Sequence, residues 1–222
     1  MSKSPVKKEN KEVKISELKS TFALNPIDQY FGKRTVFLTI GALLLLALWA
    51  YGSFWFTDNV FLFKDIGSDS INGLYPIYYW NAEILEKEGS FSWWSFSTGI
   101  GQNTMLGSYG DPFLFLSYLF GKDALIHLLG IIEPLKVVLA GISIYAYLRM
   151  MNLGFYASLV GAICYAFSGF MMIGSGWYGF TTEGLYFALL LLALELFILK
   201  GKWLLFPLVI CLTAMLMPVD VY

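Results

Sequence analysis

The sequence predicts an all-α integral membrane protein of about five transmembrane helices, with a long loop that carries interfacial helices. Three observations predict it. Of the 222 residues, 57% are hydrophobic and 14% charged, where about a quarter of a soluble domain is charged, and the mean hydropathy is +0.63. Several apolar runs approach the roughly 20 residues that cross a bilayer. Aromatic residues make up 18% of the chain, the enrichment expected where rings lie at membrane–water interfaces.

Residues 1–35 form a basic arm. Lys3, Lys7, Lys8, Lys11, Lys14, Lys19, Lys33 and Arg34 stand against Glu9, Glu12, Glu17 and Asp28. A basic head can signal nucleic acid, but directly before a span it reads as a topology signal that holds the N-terminus in the cytoplasm. No nucleic-acid partner is expected. Residues 36–56, "VFLTIGALLLLALWAYGSFWF", are the first span. They exceed the apolar core of a signal peptide, and no small-x-small cleavage site follows. Four further spans are expected at about 131–150, 155–174, 184–199 (extending toward Thr181) and 203–218. The transmembrane domain thus covers 36–222.

Residues 57–130 form the long outer loop. Within it, 112–129 is apolar but broken by Gly121-Lys122-Asp123. Were it to cross, Arg149, Lys200 and Lys202 would all lie outside, so the positive-inside rule makes it re-entrant or interfacial. Pro76 suits the first turn of a helix. Ile77, Trp80, Ile84 and Leu85 then share a face, and Gly89 is a natural stop. The spacing predicts an amphipathic helix over 76–88 at the outer surface.

"GSDSIN", 67–72, becomes the link into that helix and sets Asp69 at membrane level, partly dry. A carboxylate there is a candidate general base, because burial tunes it toward neutral pH. An N-cap or turn role is the alternative, and spacing alone favours it. Asp65, beside Lys64, is the competing carboxylate. Asp111 precedes Pro112 and reads as a turn or cap. Asn72 and Tyr75 lie in the same polar, aromatic segment. Trp93, Trp94 and Phe96 are interfacial anchors whose rings can also stack on sugars. The second outer loop, "GSGWYGFTTE", brings Trp177, Tyr178 and Glu183 to the same side. Candidate substrate contacts are therefore Lys64, Asp65, Asn72, Tyr75, Trp93, Asp111 and Glu183.

Several features read as structural. "TGIGQN" is not a phosphate loop, since no strand precedes it and no GK[ST] follows. Glu133 and Lys136, three apart, form a local ion pair. Glu195 either faces a bundle interior or reaches toward Lys200. Cys164 and Cys211 read as buried free thiols. His127 reads as an interfacial residue, and no CxxC spacing occurs. Asp65 and Asp69 are two oxygen donors four apart, too few to define a divalent-cation site.

The order span, "GSDSINGLYP", amphipathic helix, "W…GIG…Y…DPF", then "LKVVLAGISIYAYLRMMNLGFYASLVGAICYAFSGF" resembles the start of YfhO-type bacterial membrane proteins. Those are similar in architecture to the GT-C class of glycosyltransferases. The resemblance covers about 36–222. It implies a transferase of the bacterial cytoplasmic membrane that works at its outer face. Such an enzyme takes a sugar from a polyprenyl-phosphate carrier and passes it to a cell-envelope glycan or teichoic-type acceptor. Position for position, the acidic residue of the class's first outer loop falls on Asp69, which would deprotonate the acceptor hydroxyl. Lys64 or Lys122 would assist the leaving phosphate. The donor is a lipid-phosphate-linked sugar, with a divalent metal as an open question. Family members are longer, and the histidine frequent in their second loop is missing from "GWYGFTTE". The chain is therefore expected to be the N-terminal part of a longer module, inactive alone. A non-catalytic scaffold or flippase-like partner is the alternative. A small transporter is a third reading, against which no inverted repeat is evident.

Overall fold

The computed structural model describes residues 26–63, 69–91, 94–96, 100, 101, 103 and 111–216. These are helical almost throughout, with no β-strand among the described residues. In chain order the helices are α1 Pro26–Phe31, α2 Thr35–Phe56, α3 Tyr75–Glu88, α4 Pro112–Tyr118, α5 Lys122–Met150, α6 Phe155–Ala166, α7 Gly169–Gly174, α8 Gly179–Lys200 and α9 Leu205–Leu216. Four helical segments are long and apolar enough to cross a membrane: Pro26–Phe56, Lys122–Met150, Phe155–Trp177 and Gly179–Lys200. Leu205–Leu216 is a shorter apolar helix; of the expected fifth span, 203–204 precede the helix and 217–218 lie outside the described residues.

α5 is the central element. α2, α6 and α8 pack around it, and α9 packs on α8. α2 turns one stripe inward, Thr35, Thr39, Leu43, Ala47 and Tyr51. The spacing of four keeps these residues on one face. Phe37, Leu45 and Trp49 on its other faces stay uncovered, as suits a helix that meets lipid. Small residues set the contacts. A Cβ on Gly141 would lie 2.9 Å from Leu43 and 3.0 Å from Ala166, so α2, α5 and α6 converge where a side chain is absent.

Alternate crossings define two faces. The arm face carries α1 and the α5–α6 and α8–α9 turns. The loop face carries the described residues between 57 and 121 and the 175–178 turn. Lys33, Arg34, Arg149, Lys200 and Lys202 all fall at the arm face by this connectivity. There Asp28 of α1 meets Arg149 at 2.7 Å and accepts the Phe155 amide at 2.8 Å. Tyr145 donates to Thr35 at 2.8 Å. The last residues of the arm are thus a docked helical turn. Asn152, at φ 63, makes the tight α5–α6 turn; asparagine tolerates that left-handed conformation better than most residues.

Three boundaries differ from the sequence expectation. The second span begins at Lys122 rather than near 131, because Gly121 ends the preceding turn and the helix then runs unbroken to Met150. At 1.5 Å per residue it is about 43 Å long, well beyond a hydrocarbon core of about 30 Å. Only 112–118 of the ambiguous segment forms a separate short helix. The third span is not one helix: it breaks after Ala166, restarts at the Ser168 cap and tightens into a 3₁₀ turn over Ser175–Trp177. The cysteines also differ. Cys164 and Cys211 are exposed on the bundle's outer surface, because apolar side chains in a membrane gain little by pointing inward.

Pro134 lies inside α5 and has no N–H to give the carbonyl four residues earlier. That carbonyl belongs to Gly130, and the Trp55 indole N–H donates to it at 2.7 Å. A free backbone acceptor at membrane depth is thereby satisfied by a neighbouring helix.

Candidate functional site

At the loop face, the chain after α2 enters one turn of π-helix, Ser70–Leu74, and continues into α3. Pro76 sits in the first turn of α3, and Gly89, at φ 66, closes it in the left-handed conformation. The amphipathic helix lies within one residue of the expected bounds. Asp69 occupies the N-cap position of the π turn and is exposed. The sequence places it in a partly dry position; among the described residues it is open, because the next residue takes the inward place. Ser70 is fully buried and donates to the Gly176 carbonyl at 2.5 Å. The Asp69 turn is therefore pinned to the second loop.

The other sequence candidates distribute as follows. Asn72 is exposed one turn on, and Tyr75 is half-buried, its ring 6.1 Å from that of Tyr79. Glu183 is half-buried in the first turns of α8. Lys64, Asp65 and Trp93 lie outside the described residues. Lys122 meets Glu83 of α3 at 2.9 Å, and Lys87 meets the same oxygen at 2.9 Å. Hydrogen bonds from Lys122 and Lys87 hold the Glu83 carboxyl down to about 2. Lys122 also lies 5.6 Å from the centre of the Tyr79 ring. This group fastens α3 to the start of α5.

Beneath the rim lies a polar cluster whose extent is not visible in the sequence. The Lys136 ammonium donates to Asp111 Oδ2 and to Glu133 Oε1, each at 2.8 Å, and lies 3.3 Å from the Tyr178 carbonyl. Asp111 Oδ1 caps α4, accepting the Phe113 and Leu114 amides at 3.0 Å each. Its Oδ2 also accepts from Thr182 at 2.6 Å. Thr181 bonds to Glu133 Oε2 and lies 2.8 Å from the Tyr178 carbonyl. The three charged side chains are at most 3% exposed. Burial opposes charge on Asp111, but the nearby ammonium and its hydrogen bonds prevail and hold the carboxyl below its usual range. The expected Glu133–Lys136 pair is present. So is the expected Asp111 cap, but the two are one structure joining α4, α5 and α8. All of its acceptor oxygens named here are already bonded within the chain.

Tyr178 ties this cluster to the loops. Its backbone, at φ 54 and ψ −50, is a conformation that side-chain-bearing residues rarely adopt. Its hydroxyl donates to the Phe61 carbonyl at 2.9 Å. Its ring lies 5.8 Å from that of Tyr78 on α3 and 6.3 Å from that of Phe61. Phe61 also lines a cavity of ≈ 480 Å³ with Phe54, Trp55, Asn59, Ile126 and His127. His127 is exposed there, as an interfacial residue is. No group of three or more His, Cys, Asp or Glu among the described residues is arranged to hold a metal ion.

Sequence reasoning missed Tyr178, Thr181 and Thr182 as partners of the ion pair. The available signal was a lysine and a glutamate within a span, since intramembrane charges require partners.

Neither a curated protein nor a solved structure matches the chain. The family model described as "Bacterial membrane protein YfhO" matches residues 36–217. That range takes in the span α2, the Asp69 turn, the amphipathic helix and the whole buried cluster. The apolar helices, their order and this match agree: the chain belongs to the YfhO family of bacterial membrane proteins.

Proposed function

We propose that the chain is a GT-C-like glycosyltransferase of the bacterial cytoplasmic membrane, or the N-terminal part of one. It transfers a sugar from a polyprenyl-phosphate carrier to a cell-envelope glycan or teichoic-type acceptor, with the loop face outward. The observation that carries the reading is the placement of Asp69. It stands at the head of an amphipathic helix, on the rim between the two loops, and its neighbour Ser70 binds the second loop. Asp69 takes the proton of the acceptor hydroxyl as that oxygen bonds to the anomeric carbon. The carbon–oxygen bond to the carrier phosphate breaks, and a cation favours the departing charge. Lys122 suits that role among the described residues, because it lies at the loop face and shares the Glu83 carboxylate with a second ammonium, that of Lys87. In this reading Asn72, Tyr75 and Glu183 bind sugar or acceptor. The cavity beside Phe61 joins apolar walls to Asn59 and His127, as the junction of a prenyl chain and its phosphate requires.

The test is Asp69→Asn in the protein as cells make it. Sugar transfer to the envelope is lost while membrane insertion is retained; unchanged envelope glycan removes Asp69 from the active site. Cysteine labelling fixes the orientation. Positions in the 90–110 segment label from outside, and labelling of position 200 from outside reverses it. The second reading, a non-catalytic scaffold or flippase-like partner in glycan assembly, draws on one observation. The buried charges are spent on one another rather than aimed into a cleft.

A further inference from the structure

Lys136 touches no surface a substrate reaches, and yet it is the point on which three loop-face elements converge. It is 1% exposed and binds the α4 cap through Asp111, its own helix through Glu133, and the 175–178 turn through the Tyr178 carbonyl. An ammonium has three hydrogens and no acceptor, and three oxygens lie within reach of this one. From Tyr178 the connection continues by covalent geometry. Gly176 is two residues back, and its carbonyl holds the Ser70 hydroxyl. Asp69 is the next residue. The turn between these points is tight: Tyr178 has a positive φ, and a Cβ on Gly176 would meet the Phe63 ring at 3.2 Å. A tight, strained turn persists only where its surroundings hold it. The Lys136 bond to the Tyr178 carbonyl, the Thr181 bond to the same oxygen, and the Tyr178 hydroxyl on Phe61 supply that hold.

We propose that Lys136, with Asp111 and Glu133, is the positioning element for Asp69. The buried ion cluster fixes the Tyr178 turn, and the turn fixes Ser70 and the carboxylate beside it. The catalytic meaning of this arrangement rests on the proposed role of Asp69, but the mechanical claim does not. Loss of Lys136 takes one of the two side-chain donors from the Tyr178 carbonyl and loosens the turn to which Ser70 is bonded, while the aromatic packing of Phe54, Phe61 and Phe63 remains to hold the bundle end together.

The experiment uses the purified full chain in lipid nanodiscs, with Cys164→Ser and Cys211→Ser removing both native thiols. Spin labels are attached at Asn72→Cys, on the π turn, and Ile173→Cys, on α7; both positions are exposed. Electron paramagnetic resonance then reads the label-to-label distance. The parent gives a single narrow distance. Ser70→Ala loses that narrow distance with a smaller fall in the unfolding temperature than Lys136→Met, since it removes one hydrogen bond and no charge. Lys136→Met loses it as well. Should Lys136→Met fail to fold, the charge-free combination Asp111→Asn, Glu133→Gln and Lys136→Met replaces it, and the same loss is expected. A narrow distance retained in the Lys136 variant, or in that combination, overturns the proposal. So does a narrow distance retained in Ser70→Ala. The readout involves no sugar, so its failure is separate from that of the catalytic reading. Asp69→Asn with full transfer would remove the latter and leave the distances standing.

Discussion

Replacing Lys136 by methionine keeps most of the side-chain volume and removes one charge, which isolates the electrostatic contribution of the cluster. In the native structure Nζ lies 2.8 Å from one oxygen of Asp111 and 2.8 Å from one oxygen of Glu133. Without it the two carboxylates do not fare alike. Asp111 keeps the Phe113 and Leu114 amides and the Thr182 hydroxyl. Glu133 keeps only the Thr181 contact on its other oxygen, and Oε1 is left bare at zero exposure. Breaking a buried pair by removing one partner costs about 3–5 kcal/mol. For a chain of this size that lowers the unfolding midpoint by about 10 °C. Intrinsic tryptophan fluorescence in detergent micelles reads the transition directly, since the chain has seven tryptophans. Adding Asp111→Asn and Glu133→Gln removes the uncompensated charges, and most of the loss is recovered. A fall of under about 1 kcal/mol in the single variant would refute the reasoning, because that is the range of exposed pairs. A combined variant as unstable as the single one would also refute it, by showing that charge is not the cause.

The remaining predictions concern separate places in the fold. Gly141→Val forces a branched side chain against Leu43 and Ala166 at about 3 Å and destabilises by about 1–3 kcal/mol; an unchanged midpoint in the same fluorescence assay would mean that the helices can separate freely there. Trp55→Phe leaves the Gly130 carbonyl without its indole donor and costs about 1–3 kcal/mol. Pairing it with Pro134→Ala, which restores the backbone N–H, recovers part of that loss; no recovery would deny the link between the two residues. Glu83 is held down to about 2 by Lys122 and Lys87. Its folded value lies below its ordinary one, so its contribution is complete above about pH 4.5 and disappears as pH falls through 2. Amide exchange in α3 stays slow at pH 4 in the parent, and Glu83→Gln speeds it there; equal rates in the two proteins would show that the lysines do not fasten α3.

Much of the architecture is legible in the sequence because a bilayer allows few ways to satisfy a backbone. The run 36–56 becomes α2, and Pro76 and Gly89 bound an interfacial helix almost where their chemistry says they should. The parity of the basic residues gathers Arg149, Lys200 and Lys202 at one face. The reading fails where periodicity carries no information. A transmembrane helix is apolar on every side, so nothing in "LLLLALWAY" distinguishes the buried Leu43 and Ala47 from the uncovered Leu45 and Trp49. For the same reason Cys164 and Cys211 read as interior residues and lie outside.

The sequence by itself determined the order of the apolar segments, the existence of the loop-face helix and the presence of charges that had to find partners. Only the tertiary structure decided which partners. Asp111 and Lys136 are far apart in the chain, Thr181 and Thr182 farther still, and they meet because α4 caps itself where α5 and α8 cross. The tertiary structure also decided that Ser70 rather than Asp69 turns inward. A hydroxyl can be buried on a single carbonyl, whereas a carboxylate needs a cation or several donors, and the buried Lys136 is already paired with Asp111 and Glu133.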